Sequence, residues 1–420
     1  MSGLGPGDLL TLRIEKAVAG GRMLARADGA IVLVSGALPS ELVEARIERR
    51  QRGTIWARTE RVPEPSPQRV GEPNPCGGCV LSHASYEHQL GLKQGIVQDA
   101  FARVARLPVE APPIVPSRTD GYRMRARLHV EAARIGFYLE GTHTLCAPAS
   151  TGQLLPGTLA AIDAAAAVLA ETPGAVTSIE IAENRDASER AFHLELARDA
   201  DPSRLGAIAE VPGITSLSLS HLQSARVRVL NGEGRVTDRF TAQSRAWSIS
   251  RTTQAFFQGN RYLLEALVAH VLAPLGRGAV MDLYAGAGLF AVAAAAHGHA
   301  PVIAVEGDAM SAADLRRNTT DWRGLIHARH ESVESHLQNR RTLRPQTLIL
   351  DPPRTGLSGK ALEGVAGLRA PRIVYVSCDA PTLARDVRAL VDAGYELRQL
   401  TAFDLFPNTA HVETVAVLQL

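Results

Sequence analysis

Cysteine is scarce in this chain, with four in 420 residues, and lysine scarcer still, with three in a combined lysine and arginine total of 45. Two of the cysteines share one Cys-x-x-Cys, a set too sparse for a disulfide framework in a chain of this length, so metal binding or catalysis is their expected use. An excess of either charge is missing too. The net value is +2, which excludes the uniformly basic field of a strongly cationic nucleic-acid binder and leaves that argument to local clusters. No uninterrupted apolar run reaches the ~18 residues of a membrane span. The start, MSGLGPGDLLTLRIEKAV, has neither the basic n-region nor the continuous apolar core of a signal peptide. A cytoplasmic protein with no membrane partner is therefore expected.

Apolar content of 45% with 21% charged residues is that of a soluble globular protein, and the length exceeds one ordinary core, so two or three domains are expected. Residues 1–62 read as short strands with apolar positions in period two, punctuated by Gly-Gly and Asp-Gly, which predicts a small β-barrel. The Pro-rich stretch VPEPSPQRVGEPNP reads as a linker into CGGC, which holds Cys76 and Cys79, and a helix begins near Tyr86. Further on, RARLHVEAARIGFYL, SIEIAE and AFHLELA read as strands around an Ala-rich helix at 157–171, giving a central α+β domain over 63–245. Arg46, Arg49, Arg50, Arg52 and Arg58 form one basic cluster. Arg123, Arg125 and Arg127 fall on one face of a presumed strand, because side chains alternate with period two. Such runs serve as phosphate contacts or simply as solvated faces.

From residue 246 onward strands alternate with helices, the signature of an α/β domain with a doubly wound sheet. Asp282, Glu306, Asp351 and Cys378 each fall at the carboxyl end of a strand, where such sheets bind their ligands. Gly286 and Gly288 form a tight turn after the first strand, and the acidic Glu306 follows about 20 residues later, the layout of a nucleoside-binding site. Ala291 occupies the place of the third glycine in the dinucleotide fingerprint, which favours adenosine with a small tail, as in S-adenosylmethionine, over a pyrophosphate. Asp351-Pro-Pro-Arg354 is stiffened by two prolines into a shelf that can hold a planar base, and Arg354 adds a phosphate or carboxylate contact. In IVYVSCD, Cys378 leaves a buried strand either as a small core residue or as a nucleophile.

Four segments in this order, DLYAGAGLF, LDPPRTGL, YVSCDAPTLARD and FPNTAHVETVAVL, resemble the RNA uridine-5-methyltransferase family, the 5-methyluridine makers of transfer and ribosomal RNA. VSGALPSELVEARI resembles part of a TRAM domain, a small RNA-binding barrel, and CGGCVLSHASYEHQLGLK is similar to the family's iron–sulfur segment. The resemblance implies a Rossmann-like methyltransferase domain over 246–420, RNA (rRNA or tRNA) as partner, S-adenosylmethionine as cofactor and no obligate protein partner. It implies Cys378 as the thiolate that adds to carbon 6 of uracil and Glu413 as the base that strips carbon 5. Gln258, Tyr284 and Glu306 match the family's cofactor contacts, and Asp351 matches a residue lining the cofactor and pyrimidine pocket. His411 shares a strand face with Glu413 and is a competing base.

The chain also departs from the family's pattern. Leu289 stands where many members carry asparagine, which removes one polar cofactor contact. Asp379 replaces an asparagine beside the nucleophile, and its charge would oppose thiolate formation unless it points away. Val70 and Thr151 occupy the positions of the first and fourth iron–sulfur cysteines, and Cys146 is displaced from the latter. Cys76 and Cys79 alone are too few for a four-thiolate cluster; a three-cysteine site is the other reading. Alternatives of function are a methyltransferase of another nucleobase on this fold and an RNA-binding protein whose site has decayed. Retention of both Cys378 and Glu413 speaks against decay.

Overall fold

The computed structural model describes residues 5–224, 226–242, 245–338 and 344–420, so the first four residues of the start lie outside it. Strands Leu9–Arg13, Lys16–Ala17, Met23–Ala27, Ala30–Ser35, Leu42–Gln51 and Thr54–Glu64 form one sheet. It rolls into a barrel, with the Glu15 amide bonding the Leu24 carbonyl at 2.8 Å. Period-two patterning builds the barrel core: Val43, Ala45 and Ile47 are buried while Arg46 and Glu48 between and beside them face out.

A second sheet of seven strands runs from Arg125 to Asn231. Its apolar face, with Leu128, Ile179, Phe192 and Leu194, forms one core cluster with residues of the helix Pro156–Leu169 and of the 3-10 stretch Pro202–Glu210. The arginine cluster of this region is engaged within the protein. Arg125 pairs with Glu180 at 2.8 Å and Arg127 with Glu195 at 2.9 Å. Arg123 lies before the strand rather than on it, and bonds Gln153 and the Arg125 carbonyl. In the barrel, Arg46 pairs with Glu60 and Arg58 with Glu48.

Strands Arg235–Ala242 and Arg245–Thr252 pair as a separate two-stranded sheet, and the remaining chain builds an eight-stranded sheet with helices packed on it. The elements that bear on the site are α1 (Tyr86–Ala100), β1 (Ile114–Val115), β2 (Val280–Leu283), α2 (Leu289–Ala296), β3 (Val302–Glu306), β4 (Ile326–His330), β5 (Thr347–Leu350), β6 (Arg372–Ser377), α3 (Ala380–Asp392), β7 (Glu396–Phe403) and β8 (Glu413–Gln419); helices Leu264–Leu272, Ala309–Asn318, Val333–Gln338 and Gly359–Leu368 complete the layer. The strand order is β4-β3-β2-β5-β6-β8-β7-β1. Strands β2 to β6 pair in parallel, and β8 runs antiparallel between β6 and β7. Parallel central strands are buried on both faces, which is why they read as short apolar runs. Residues 86–115, grouped with the central region on sequence, here supply a helix and an edge strand to this layer: β1 pairs with β7, and Leu92, Ile96 and Val97 of α1 share a core with Leu383 and Val387 of α3. No described helix is long and apolar enough to cross a membrane.

Candidate active site

The site lies beyond the carboxyl ends of β2, β3, β5 and β6, where the order reverses from β2 outward and a crevice opens. After β2 the backbone turns through three left-handed residues, Tyr284, Gly286 and Gly288, with φ of 63°, 56° and 94°. At Gly288 the φ of 94° favours glycine, and a Cβ there would also press within 2.7 Å of the Leu315 side chain. Tyr284 adopts this conformation without glycine's freedom, a strain that accumulates at functional turns. Glu306, ending β3, accepts the Gly286 amide at 2.8 Å and the Asp308 amide at 2.6 Å. Its carboxylate is thereby fixed in orientation, while its remaining lone pairs stay available to a hydroxyl donor.

Asp351 follows β5. It is half-buried, accepts from Gln258 Nε2 at 3.1 Å, and desolvation pushes its carboxyl up to about 7. Asp282 on β2 is fully buried with neither carboxylate oxygen hydrogen-bonded, and burial, then the charges of Asp351 and Glu306, hold it well above the carboxylate range. Cys378 follows β6 and is partly exposed. Its thiol is pushed up to about 11 by burial first and then by the Glu413 charge, with the neighbouring Arg354 guanidinium pulling the other way. Glu413 opens β8, is 3% exposed, and is raised well above its ordinary value by burial and by Asp351. His411 is pushed down to about 4 by burial and by the Arg354 and Lys93 cations.

One cavity of about 840 Å³ gathers Gln258, Tyr284, Glu306, Asp351, Cys378 and Glu413 in its lining. All six residues picked from the sequence thus meet there, and His411 is absent from that lining. Asp379 accepts the Thr382 amide and caps α3, so its charge serves the helix N-terminus. Leu289 lines the cavity as the first residue of α2, placing an apolar wall where an amide was missing. Sequence reading passed over four lining aromatics, Phe256, Phe257, Phe290 and Phe406. Phe256 is 65% exposed; a large apolar side chain left in water at a cavity mouth was visible only as the repeat in AFFQGN.

The Cys-x-x-Cys segment corrects an expectation. Cys76 is joined to Cys146 by a disulfide across 70 residues, so in this structure neither thiol is free to ligate a metal. Cys79 is a buried free thiol raised by burial. Val70 is 65% exposed and Thr151 is buried, donating to the Pro148 carbonyl at 2.7 Å. Residues that expose one ligand position, fill another with a satisfied hydroxyl and bond two thiols to each other do not fit a four-thiolate cluster. Among the described residues no three His, Cys, Asp or Glu converge on a metal position.

A nucleoside-type turn, an orienting acidic strand end, an Asp-Pro-Pro shelf and a cysteine around one cavity define a class I methyltransferase site. The family profile described as tRNA (Uracil-5-)-methyltransferase matches residues 221–420. The 23S rRNA (uracil(1939)-C(5))-methyltransferase RlmD of Halomonas elongata is 32% identical over 95% of this chain and 87% of its own length. Its counterpart from Pseudomonas putida is also 32% identical, over 97% and 93%. A solved structure, the Pyrococcus abyssi tRNA (uracil-54, C5)-methyltransferase in complex with S-adenosyl-L-homocysteine, superposes with a TM-score of 0.73 over 97% of this chain and all of that one, at 22% identity. This protein belongs to the RNA uracil-C5-methyltransferase family.

Proposed function

We propose that the protein transfers a methyl group from S-adenosylmethionine to carbon 5 of a uridine in ribosomal or transfer RNA, in the cytoplasm. The observation that carries this reading is the placement of Cys378 and Glu413 in one cavity with the nucleoside turn at Tyr284–Gly288 and Glu306. The turn, the Glu306 carboxylate and the Asp351 shelf suit the nucleoside cofactor: a hydroxyl-accepting carboxylate, a backbone that approaches closely and a half-buried carboxyl in the same cavity wall. When bound, S-adenosylmethionine supplies the electrophilic methyl that carbon 5 accepts.

Carbon 5 of uracil is a poor nucleophile until carbon 6 is saturated. The Cys378 sulfur bonds carbon 6, and the double-bond electrons move onto the carbonyl oxygen as an enolate, which makes carbon 5 nucleophilic. Arg354, beside the thiol, favours the thiolate that this attack requires. After methylation Glu413 takes the proton from carbon 5, the carbon–sulfur bond breaks and the ring double bond returns. Glu413 suits this role better than His411. It lines the cavity and its proton affinity is raised, whereas the imidazole is pushed down to about 4 and makes a weaker base. Division of labour follows the chain: the barrel of 1–62 holds RNA, and 246–420 carries the chemistry.

Mass spectrometry of nucleosides from ribosomal and transfer RNA, with and without the gene, tests the reading. One uridine should lose its 5-methyl mark when the gene is removed; identical modification profiles would overturn it.

A further inference from the structure

The loop 404–412 joins β7 to β8, and Phe403 at its start pairs across the sheet with Glu413 at its end. It has little regular structure of its own, yet outside elements seize its polar groups. Lys93 of α1 and Asp404 form an ion pair with both side chains 0% exposed, and Lys93 Nζ also donates to the Phe406 carbonyl at 2.9 Å. One turn earlier on α1, Gln89 clamps Asn408 from both sides: it accepts the Asn408 amide at 2.9 Å and donates to Asn408 Oδ1 at 3.1 Å. Asn408 is held in the left-handed region at φ 65°. The Asn260 amide group donates to the Leu405 carbonyl at 3.0 Å, and Tyr122 donates to the Pro407 carbonyl at 3.2 Å.

A buried ion pair is weak evidence for stability, because desolvation offsets most of the attraction and an apolar pair packs as well. It does add direction. An ammonium with its donors aimed at one carboxylate and one carbonyl fixes both at defined points. Those points lie at the root of the loop that delivers Glu413 and contributes Phe406 to the cavity.

We infer that Lys93, with Gln89, is a positioning residue for the reaction: the buried tie from α1 to Asp404 and Phe406 sets the loop 404–412 so that Glu413 meets the carbon 5 proton. This rests on the proposed uridine methylation. The tie governs the release of the adduct and not its formation.

The test is the double variant Lys93→Met/Asp404→Leu, which removes both charges together and keeps apolar bulk in their place. Affinity for S-adenosylmethionine and the yield of the covalent trap on 5-fluorouridine RNA should match the parent. Turnover on ordinary uridine RNA should fall by about tenfold or more, the scale of a sub-ångström to ångström misplacement, with a methylated enzyme–RNA adduct accumulating. Gln89→Met should show the same signature more weakly, and it carries the decision if the double variant does not fold. Parental turnover without adduct, or loss of cofactor binding alongside turnover, would overturn the inference and leave the tie purely structural. An adduct that persists when Cys378→Ala is added would instead contradict the proposed chemistry itself.

Discussion

Cys378 is a reluctant thiolate, raised to about 11 by burial and the Glu413 charge, and Arg354 is the cation that opposes this. Removing the guanidinium should raise the thiol further. Arg354→Ala should therefore slow alkylation of Cys378 at pH 8 by about tenfold for each unit of further shift. The pH profile of labelling by a small alkylating reagent, read at Cys378 by mass spectrometry, checks this; an unchanged profile would remove Arg354 from the account. Asp351 makes a second case, in stability. Its folded value of about 7 lies above the ordinary carboxylate range, so the stability it contributes is complete below about pH 4 and is lost as pH rises towards 7. Asp351→Asn should thus melt like the parent near pH 4, and at pH 8 should be more stable by roughly 1–4 kcal/mol while losing activity. Thermal unfolding at the two pH values decides it. Tyr284, Asp351, Cys378 and Glu413 were legible because four motif segments hold them, and Glu306 because an acidic residue closes its strand, while Gln258 rested on the family resemblance alone; topology fixes where strand ends go. The role of Arg354 at the thiol was not, since its side chain reaches Cys378 only in three dimensions.

At the scale of elements, the Asp379 side chain caps α3, and that resolves the sequence-level worry about a carboxylate beside the nucleophile. Asp379→Ala should cost about 1 kcal/mol of stability, the ordinary worth of an N-cap, and leave trapping by 5-fluorouridine RNA intact. Loss of trapping at full stability would mean that the charge acts on Cys378 after all. The parallel strands β2, β3, β5 and β6 were readable as apolar runs closed by Asp, Glu or Cys. Strand β4 escaped notice because only Ile326 is buried in an otherwise polar IHARH edge, and β1 because two residues carry no periodicity. The helix α1 was legible as a helix, but its allegiance was not. Nothing in YEHQLGLKQGIVQDA says that Lys93 will be buried against Asp404, some 300 residues further along the chain, as long-range pairing is invisible to local pattern.

For the whole molecule, the disulfide from Cys76 to Cys146 ties the segment before α1 to the central sheet across 70 residues. On loop-closure entropy a loop of that length should make the bond worth about 4 kcal/mol. Cys146→Ser, or reductant on the parent, should lower the unfolding midpoint, and a midpoint equal to the oxidised parent's would contradict the tie. The sparse cysteine count pointed to metal or catalysis because spacing along a chain cannot report which thiols meet in space. The central claim is that Cys378 and Glu413 perform successive steps on one uridine, and incubation of the intact enzyme with cofactor and RNA tests it most directly. On 5-fluorouridine RNA the parent should form a covalent complex that Cys378→Ala abolishes. On ordinary uridine RNA, Glu413→Gln should stall as a methylated adduct, visible as a shifted band on a denaturing gel, and His411→Ala should at most slow turnover. A complex of parental yield in Cys378→Ala, or normal turnover in Glu413→Gln, would contradict the account.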